Sequence, residues 1–157
     1  MASLQTLVDQ YLDGPKELRR ACAGMTREQS LARPIAGKWS TLEVVAHLAD
    51  FDPIYADRMK RVIAEEKPTI MGADETKFSA ALCYQERDLE EELTIMELTR
   101  SQMARILRQL PESALQRSGV HSERGQVTLE VLLESIIKHV PHHTKFVLEK
   151  RKALGLS

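Results

Sequence analysis

Ser40-Thr41-Leu42-Glu43 has capping-box spacing, and the segment it opens runs to about Glu66 without a glycine. A serine oxygen that accepts the amide three residues on, answered by that residue's carboxylate, fixes where a helix starts. Within the segment Val44, Leu48, Phe51, Tyr55, Met59 and Val62 recur at three- and four-residue steps, so one face of this helix must be buried. Pro53 lies inside it and should bend it, because the carbonyl one turn upstream loses its amide partner.

Three further long segments share this periodicity. Leu4, Leu7, Val8, Tyr11, Leu12, Pro15, Leu18, Cys22 and Met25 mark the first, with Gly14-Pro15 predicting a kink or two consecutive pieces. Thr26-Arg27-Glu28-Gln29 predicts a short helix ending before Pro34. After a loop over 66–73, the stretch from Asp74 to Cys83 fits either loop or irregular helix. From about Gln85 to Leu110, Leu89, Leu93, Met96, Met103, Ile106, Leu107 and Leu110 mark the third long helix, acidic at its start and basic at its end as the helix dipole favours. Pro111 stops it. A connector over 112–127 leads to Thr128, which can cap a fourth helix reaching about Lys152.

Four long helices, 4% aromatic residues and little strand signal predict an all-α fold. The expected form is an antiparallel four-helix bundle with a long crossover between the second and third helices. With 157 residues, 43% of them hydrophobic, a single domain over 1–157 is expected. Lys and Arg number 22 against 23 Asp and Glu, so no global basic field exists to hold nucleic acid. No uncharged apolar stretch reaches membrane-spanning length, and the first residues carry Asp9 and no basic cluster, which predicts a soluble cytoplasmic protein. Cys22 and Cys83 show no metal-ligand spacing and read as buried reduced thiols.

Three of the five histidines, His139, His142 and His143, fall within five positions of the fourth helix. His139 and His143 are one turn apart, about 40° round the axis and about 6 Å along it, where two imidazoles can share an ion. His142 lies about 60° to the other side. Leu129, Leu132, Ile136, Val140, Phe146 and Val147 cluster on the flank of His143, with His139 inside its edge. His139 and His143 are therefore the inward pair and His142 a partly solvated margin. The alternative is core histidines bonded to backbone carbonyls.

On the second helix His47 sits at the edge of the buried arc, flanked by Glu43 and Asp50. Either carboxylate could bond the ring or a bound species, although Glu43 is also within reach of its own cap. Facing helices of a bundle supply ligands to one site, so His47, His139 and His143 form a candidate three-histidine metal centre. Asp50 is the candidate acid/base or supporting group. Trp39 reads as a packing anchor ahead of a substrate-stacking aromatic, and His121 as an exposed loop histidine ahead of one lining the mouth of a site. Arg58, about 20° round the helix from His47, reads as a salt-bridge partner ahead of a group that snorkels or meets an anionic substrate.

Taken together, Arg33-Pro34, Gly37-Lys38-Trp39-Ser40, Glu43, His47-Leu48-Ala49-Asp50 and the distant His139 and His143 resemble the DinB/YfiT-like superfamily over nearly the whole chain. The resemblance implies a four-helix bundle whose metal is held by one histidine of the second helix and an HxxxH pair of the last long one, here His47, His139 and His143. It also implies dimers, and enzymes of two kinds: thiol-dependent transferases or isomerases, and metal-dependent hydrolases.

Three neutral imidazoles on a divalent ion leave a position open for water or thiol. The expected function is metal-dependent activation of a low-molecular-weight thiol, or of water, against a small electrophilic substrate, with the thiol slightly ahead on resemblance. Zinc is expected first and nickel second, since imidazole suits both. The alternative is a non-catalytic bundle that binds a small ligand or oligomerises around a structural ion or none. Expected partners are a small-molecule substrate and a second copy in a homodimer, for which apolar residues on the first and third helices are left over.

Overall fold

The computed structural model describes residues 2–156. Four long helices form the body: α1 (Leu4–Cys22), α3 (Thr41–Ala64), α5 (Leu89–Leu107) and α6 (Leu129–Ala153), with a short α2 (Arg27–Leu31) between the first two. Each starts on a side chain suited to the task. Ser3, Ser40, Asp88 and Thr128 accept amides of the first turns of the long helices, and Thr26 with Gln29 and Ser40 with Glu43 close reciprocal capping boxes.

The helix α1 packs on α5 and α6, and α3 packs on the same two, so the order round the bundle is α1, α5, α3, α6. The consecutive long helices α1 and α3 thus lie across the bundle from one another, while α3 and α6 are neighbours. That adjacency is what brings the histidines of two distant segments together. Among the described residues no helix is long and apolar enough to cross a membrane.

The apolar core falls into two clusters. One gathers Tyr11, Met59, Met103, Leu107, Leu132 and Ile136, and the other Leu18, Val45, Leu48, Met96, Val140 and Val147. Between them lies a polar layer that no periodicity announced. Arg100 and Asp52, fully buried, form a two-bonded ion pair at 2.6 and 2.8 Å. Arg100 also donates to the carbonyls of Tyr11 (2.7 Å) and Ile136 (3.1 Å), so this one guanidinium, itself on α5, bonds to α1, α3 and α6. Its extra bonds satisfy donors that a buried pair would otherwise strand.

Gly14-Pro15 does not split α1. Proline has no amide to offer the carbonyl four residues back, which here is that of Tyr11, and Arg100 takes the freed acceptor. A Cβ on Gly14 would stand 2.8 Å from Nη1 of Arg100, so the glycine makes room for the guanidinium. Pro53 and Pro141 likewise sit within continuous helices, with both rings on the exposed side.

The connectors hold more structure than the sequence indicates. The crossover from α3 to α5 contains β1 (Thr69–Ile70) and a seven-residue helix α4 (Glu75–Ala81) capped by Asp74, which settles the ambiguous stretch as mainly helical. The connector before α6 folds as a hairpin of β2 (Ser118–His121) and β3 (Gly125–Thr128), and β1 adds in parallel to β2, pairing Thr69 with Val120 and Ile70 with His121. Gly119 allows this closeness, since a Cβ there would stand 2.8 Å from the Pro68 carbonyl. Of the two cysteines only Cys22 is buried; Cys83 is exposed at the end of the α4 turn.

Candidate metal centre

His47 projects from α3 and His139 and His143 from successive turns of α6, into the space between the two helices. His47 is 0% exposed. Its Nε2 lies 3.1 Å from Nε2 of His139, and the three rings stand with centroids 4.7–5.0 Å apart. One nitrogen from each ring can be chosen so that all three lie within 4.8 Å of one another. The inward pair read from the helix periodicity is the pair that meets His47. His142 is exposed and stands outside the cluster, edge-on to His143 at 5.1 Å.

Burial sets the chemistry of these rings. It pushes His47 and His143 down to about 4 and His139 to about 3, with the neighbouring histidines adding repulsion for His139 and His143. All three are neutral near pH 7, so each offers a lone pair. Two ligand atoms of a tetrahedral ion bound at about 2.0–2.1 Å stand about 3.3 Å apart, close to the observed separation of the two Nε2 atoms. The rival reading, histidines tied to backbone carbonyls, does not describe the cluster: the Nδ1 atoms of all three are buried without a hydrogen-bond partner. Their orientation comes from packing, with Phe51 at 4.7 Å and Trp39 at 5.4 Å from the His47 ring. The donor set and its spacing fit a divalent ion.

The flanking carboxylates are engaged elsewhere. Glu43 completes the Ser40 cap and pairs with Arg33. Asp50 is gripped by Arg87 at 2.7 and 3.1 Å, which also holds Glu92, and no hydrogen bond joins Asp50 to a ring of the cluster; its charge only raises His47 slightly against the effect of burial. The carboxylate that does approach is that of Glu75 on α4, with Oε2 3.7 Å from His47 Nε2 and its side chain 61% exposed. Glu75 falls in the stretch left unassigned by sequence, so nothing pointed to it.

Two recesses reach the cluster. One, of about 210 Å³, is lined by His47, His139, Phe51, Arg58, Glu75 and His121 among others. His121 is therefore not an exposed loop residue: strand pairing with β1 carries it inward to 5% exposure. Arg58 is buried too and has no ion-pair partner among the described residues, contrary to the salt bridge expected of it. The other recess, of about 380 Å³, opens past His143 between Trp39, Val44, Phe146 and Lys150. Trp39 thus packs on His47 and Tyr84 and also walls this recess.

The sequence profile of the DinB superfamily matches residues 10–147. The chain belongs to the DinB superfamily. Among similar proteins, one of Oceanobacillus iheyensis is 26% identical over 147 residues, covering 92% of this chain and 85% of that protein. One of Geobacillus thermodenitrificans is 30% identical over 142 residues, 90% of this chain and 80% of its own. Both carry the name "Putative metal-dependent hydrolase". Of solved structures, YfiT from Bacillus subtilis superposes with a TM-score of 0.89 at 26% identity, covering 98% of this chain and 89% of that one, and is described as "a probable metal-dependent hydrolase with an unusual four-helix bundle topology". The fold seen here is the same bundle.

Proposed function

We propose that this DinB protein is a metal-dependent enzyme in which His47, His139 and His143 hold a divalent ion and a nucleophile is activated beside them against a small electrophilic substrate. One observation carries the reading: among the described residues the ligand atoms that all lie within 4.8 Å of one another belong to three neutral imidazoles, and the nearby Glu75 carboxylate, 3.7 Å from His47, stands outside that group. A purely structural ion takes four protein ligands, whereas three leave a position for a reacting molecule. An ion bound there would supply uncompensated positive charge that acidifies water or a thiol; zinc suits the ligand set first and nickel second.

The chain's own groups do the remainder. Phe51, Trp39 and Phe146 wall the cluster and lower the local dielectric. Glu75, whose carboxylate stands nearest His47 from the solvent side, is the group we assign to taking the proton of the nucleophile. This role passes to it from Asp50, whose oxygens are held by Arg87.

Hydrolysis is the reading that the relatives' names support, and a small amide or ester is the substrate class we assign to it. A second reading, transfer from a low-molecular-weight thiol, is favoured by the two recesses, which would seat a thiol and an electrophile on different sides of the cluster. The thiol would come from outside, since burial pushes the Cys22 thiol up to about 12 and exposed Cys83 lines neither recess that reaches the cluster. Titrating cobalt-substituted protein with low-molecular-weight thiols tests the choice. A saturable thiolate-to-metal charge-transfer band supports transfer; a spectrum moved by azide and untouched by thiols supports hydrolysis; a spectrum moved by neither sinks the enzymatic reading.

A further inference from the structure

Arg58 poses a problem that neither the fold nor the metal centre solves. It is only 6% exposed, and no carboxylate of the described residues lies within ion-pair distance of it. Its guanidinium sits 4.9 Å over the Tyr55 ring and gives a hydrogen bond from Nη2 to the Met71 carbonyl at 2.8 Å. Burial opposes its charge, as Arg124 also does, and outweighs the support of the Tyr55 hydroxyl and the Glu123 carboxylate; no ion pair closes. Nε is buried with no partner. A guanidinium has five N–H donors in a fork that matches an oxyanion, and leaving such a charge buried and unpaired is costly. The bond to Met71 latches the crossover to α3, a task that a neutral donor could perform without a buried charge.

The position of the side chain says what the charge faces. Arg58 is eleven residues beyond His47 on the same helix, three turns and about 16 Å along the axis. Side chains of a helix lean towards its N-terminus, so the guanidinium reaches back into the recess that His47 and His139 floor. His121 borders the same recess. Its Nδ1 accepts the Glu123 amide at 3.2 Å, which places the ring proton on Nε2 and makes that nitrogen a donor. Glu75 and Glu123 also line the recess, and so does exposed Arg124, but neither carboxylate closes on Arg58.

We propose that Arg58, with His121 beside it, is an anion subsite that binds the carboxylate or phosphate tail of the small substrate, whose electrophilic centre lies at the histidine cluster. The inference rests on the proposed function for the existence of that substrate, and it narrows the class: a molecule with an oxyanion several bonds from the reacting atom. A neutral substrate would leave Arg58 unpaired in the bound state.

The test uses metal-free full-length protein, so that no anion can be held by an ion, with inorganic phosphate and acetate as probes. Nitrogen-15 spectra follow the Arg58 Nε–H signal and carbon-13 spectra the His121 ring. Both signals are expected to shift saturably with at least one probe, and the tighter probe tells phosphate from carboxylate. In R58Q the His121 shift should weaken by about tenfold or more in apparent affinity, with R58K between the two. R58Q should also melt no lower than the parent, because it removes an unpaired buried charge. H47A should keep the anion response, so that loss of metal binding in that variant and loss of the subsite are read separately. Signals that stay still to high probe concentration, or a folded R58Q that binds the probes as the parent does, would overturn the proposal.

Discussion

His139 carries the lowest basicity of the cluster, and its cause is burial next to two other imidazoles. This makes the metal-free site a pH-sensitive part of the fold. Unfolded histidine takes a proton near 6.5, whereas folded His47, His139 and His143 hold off until about 4, 3 and 4. The unfolded state therefore binds more protons below 6.5, and the folded state loses stability as pH falls through that window. Thermal melts of chelator-treated protein should drop between pH 7 and pH 4.5, and H139L should drop less steeply; parallel curves for the two proteins would contradict the assignment. The histidine spacing was legible in the sequence because helix geometry converts position into direction. Glu75 was not, because it reaches the site on a seven-residue helix of the crossover whose path depends on tertiary packing. Arg58 and His121 were legible only as alternatives: helix geometry puts Arg58 near the direction of His47, but its burial depends on the crossover and that of His121 on pairing with a strand of two residues.

At the scale of the elements, Arg100 is the joint of the bundle. Removing Asp52 would leave a fully buried guanidinium without its counter-ion, so D52A is expected to lose about 3–5 kcal/mol in urea denaturation. A loss under 1 kcal/mol would mean that the carbonyls of Tyr11 and Ile136 suffice. Gly14 gives a test with the opposite sign from the usual rule. Alanine in place of a helical glycine ordinarily stabilises by about 0.5–1 kcal/mol, but here the new Cβ meets Arg100 at 2.8 Å and Val140 at 3.3 Å. G14A should therefore destabilise by about 1–3 kcal/mol, as overpacking does. The long helices were readable from apolar period and caps within two or three residues at most ends; the exception is α5, expected from about Gln85, which starts at Leu89 because Asp88 caps it after a separate turn over Tyr84–Glu86. The Asp52–Arg100 layer was not, because an aspartate before a proline and an arginine in a basic helix end look like solvated residues until α3 and α5 are packed together. The small sheet escaped for a similar reason: Ser118-Gly119-Val120-His121 has no apolar alternation, and β1 supplies only two residues.

For the whole molecule, the arrangement α1, α5, α3, α6 decides whether the histidine cluster forms, since any order that separated α3 from α6 would part His47 from His139 and His143. It also bears on assembly. Leu98, 66% exposed, and Ile95 lie one turn apart on α5 and present an apolar face, while the apolar stripe of α1 is spent inside the bundle. We expect a symmetric homodimer through the α5 face, converted to monomer by L98E in light scattering at micromolar concentration; a monomeric parent would refute it. The claim on which the rest depends is that the three histidines hold an ion. Elemental analysis of protein expressed without an affinity tag addresses it directly, run beside H47A, H143A and H142A. About one divalent ion per chain is predicted in the parent and in H142A, with loss in H47A and H143A. A parent that stays metal-free after exposure to zinc or nickel, or an H47A variant that keeps its full ion, would contradict the account.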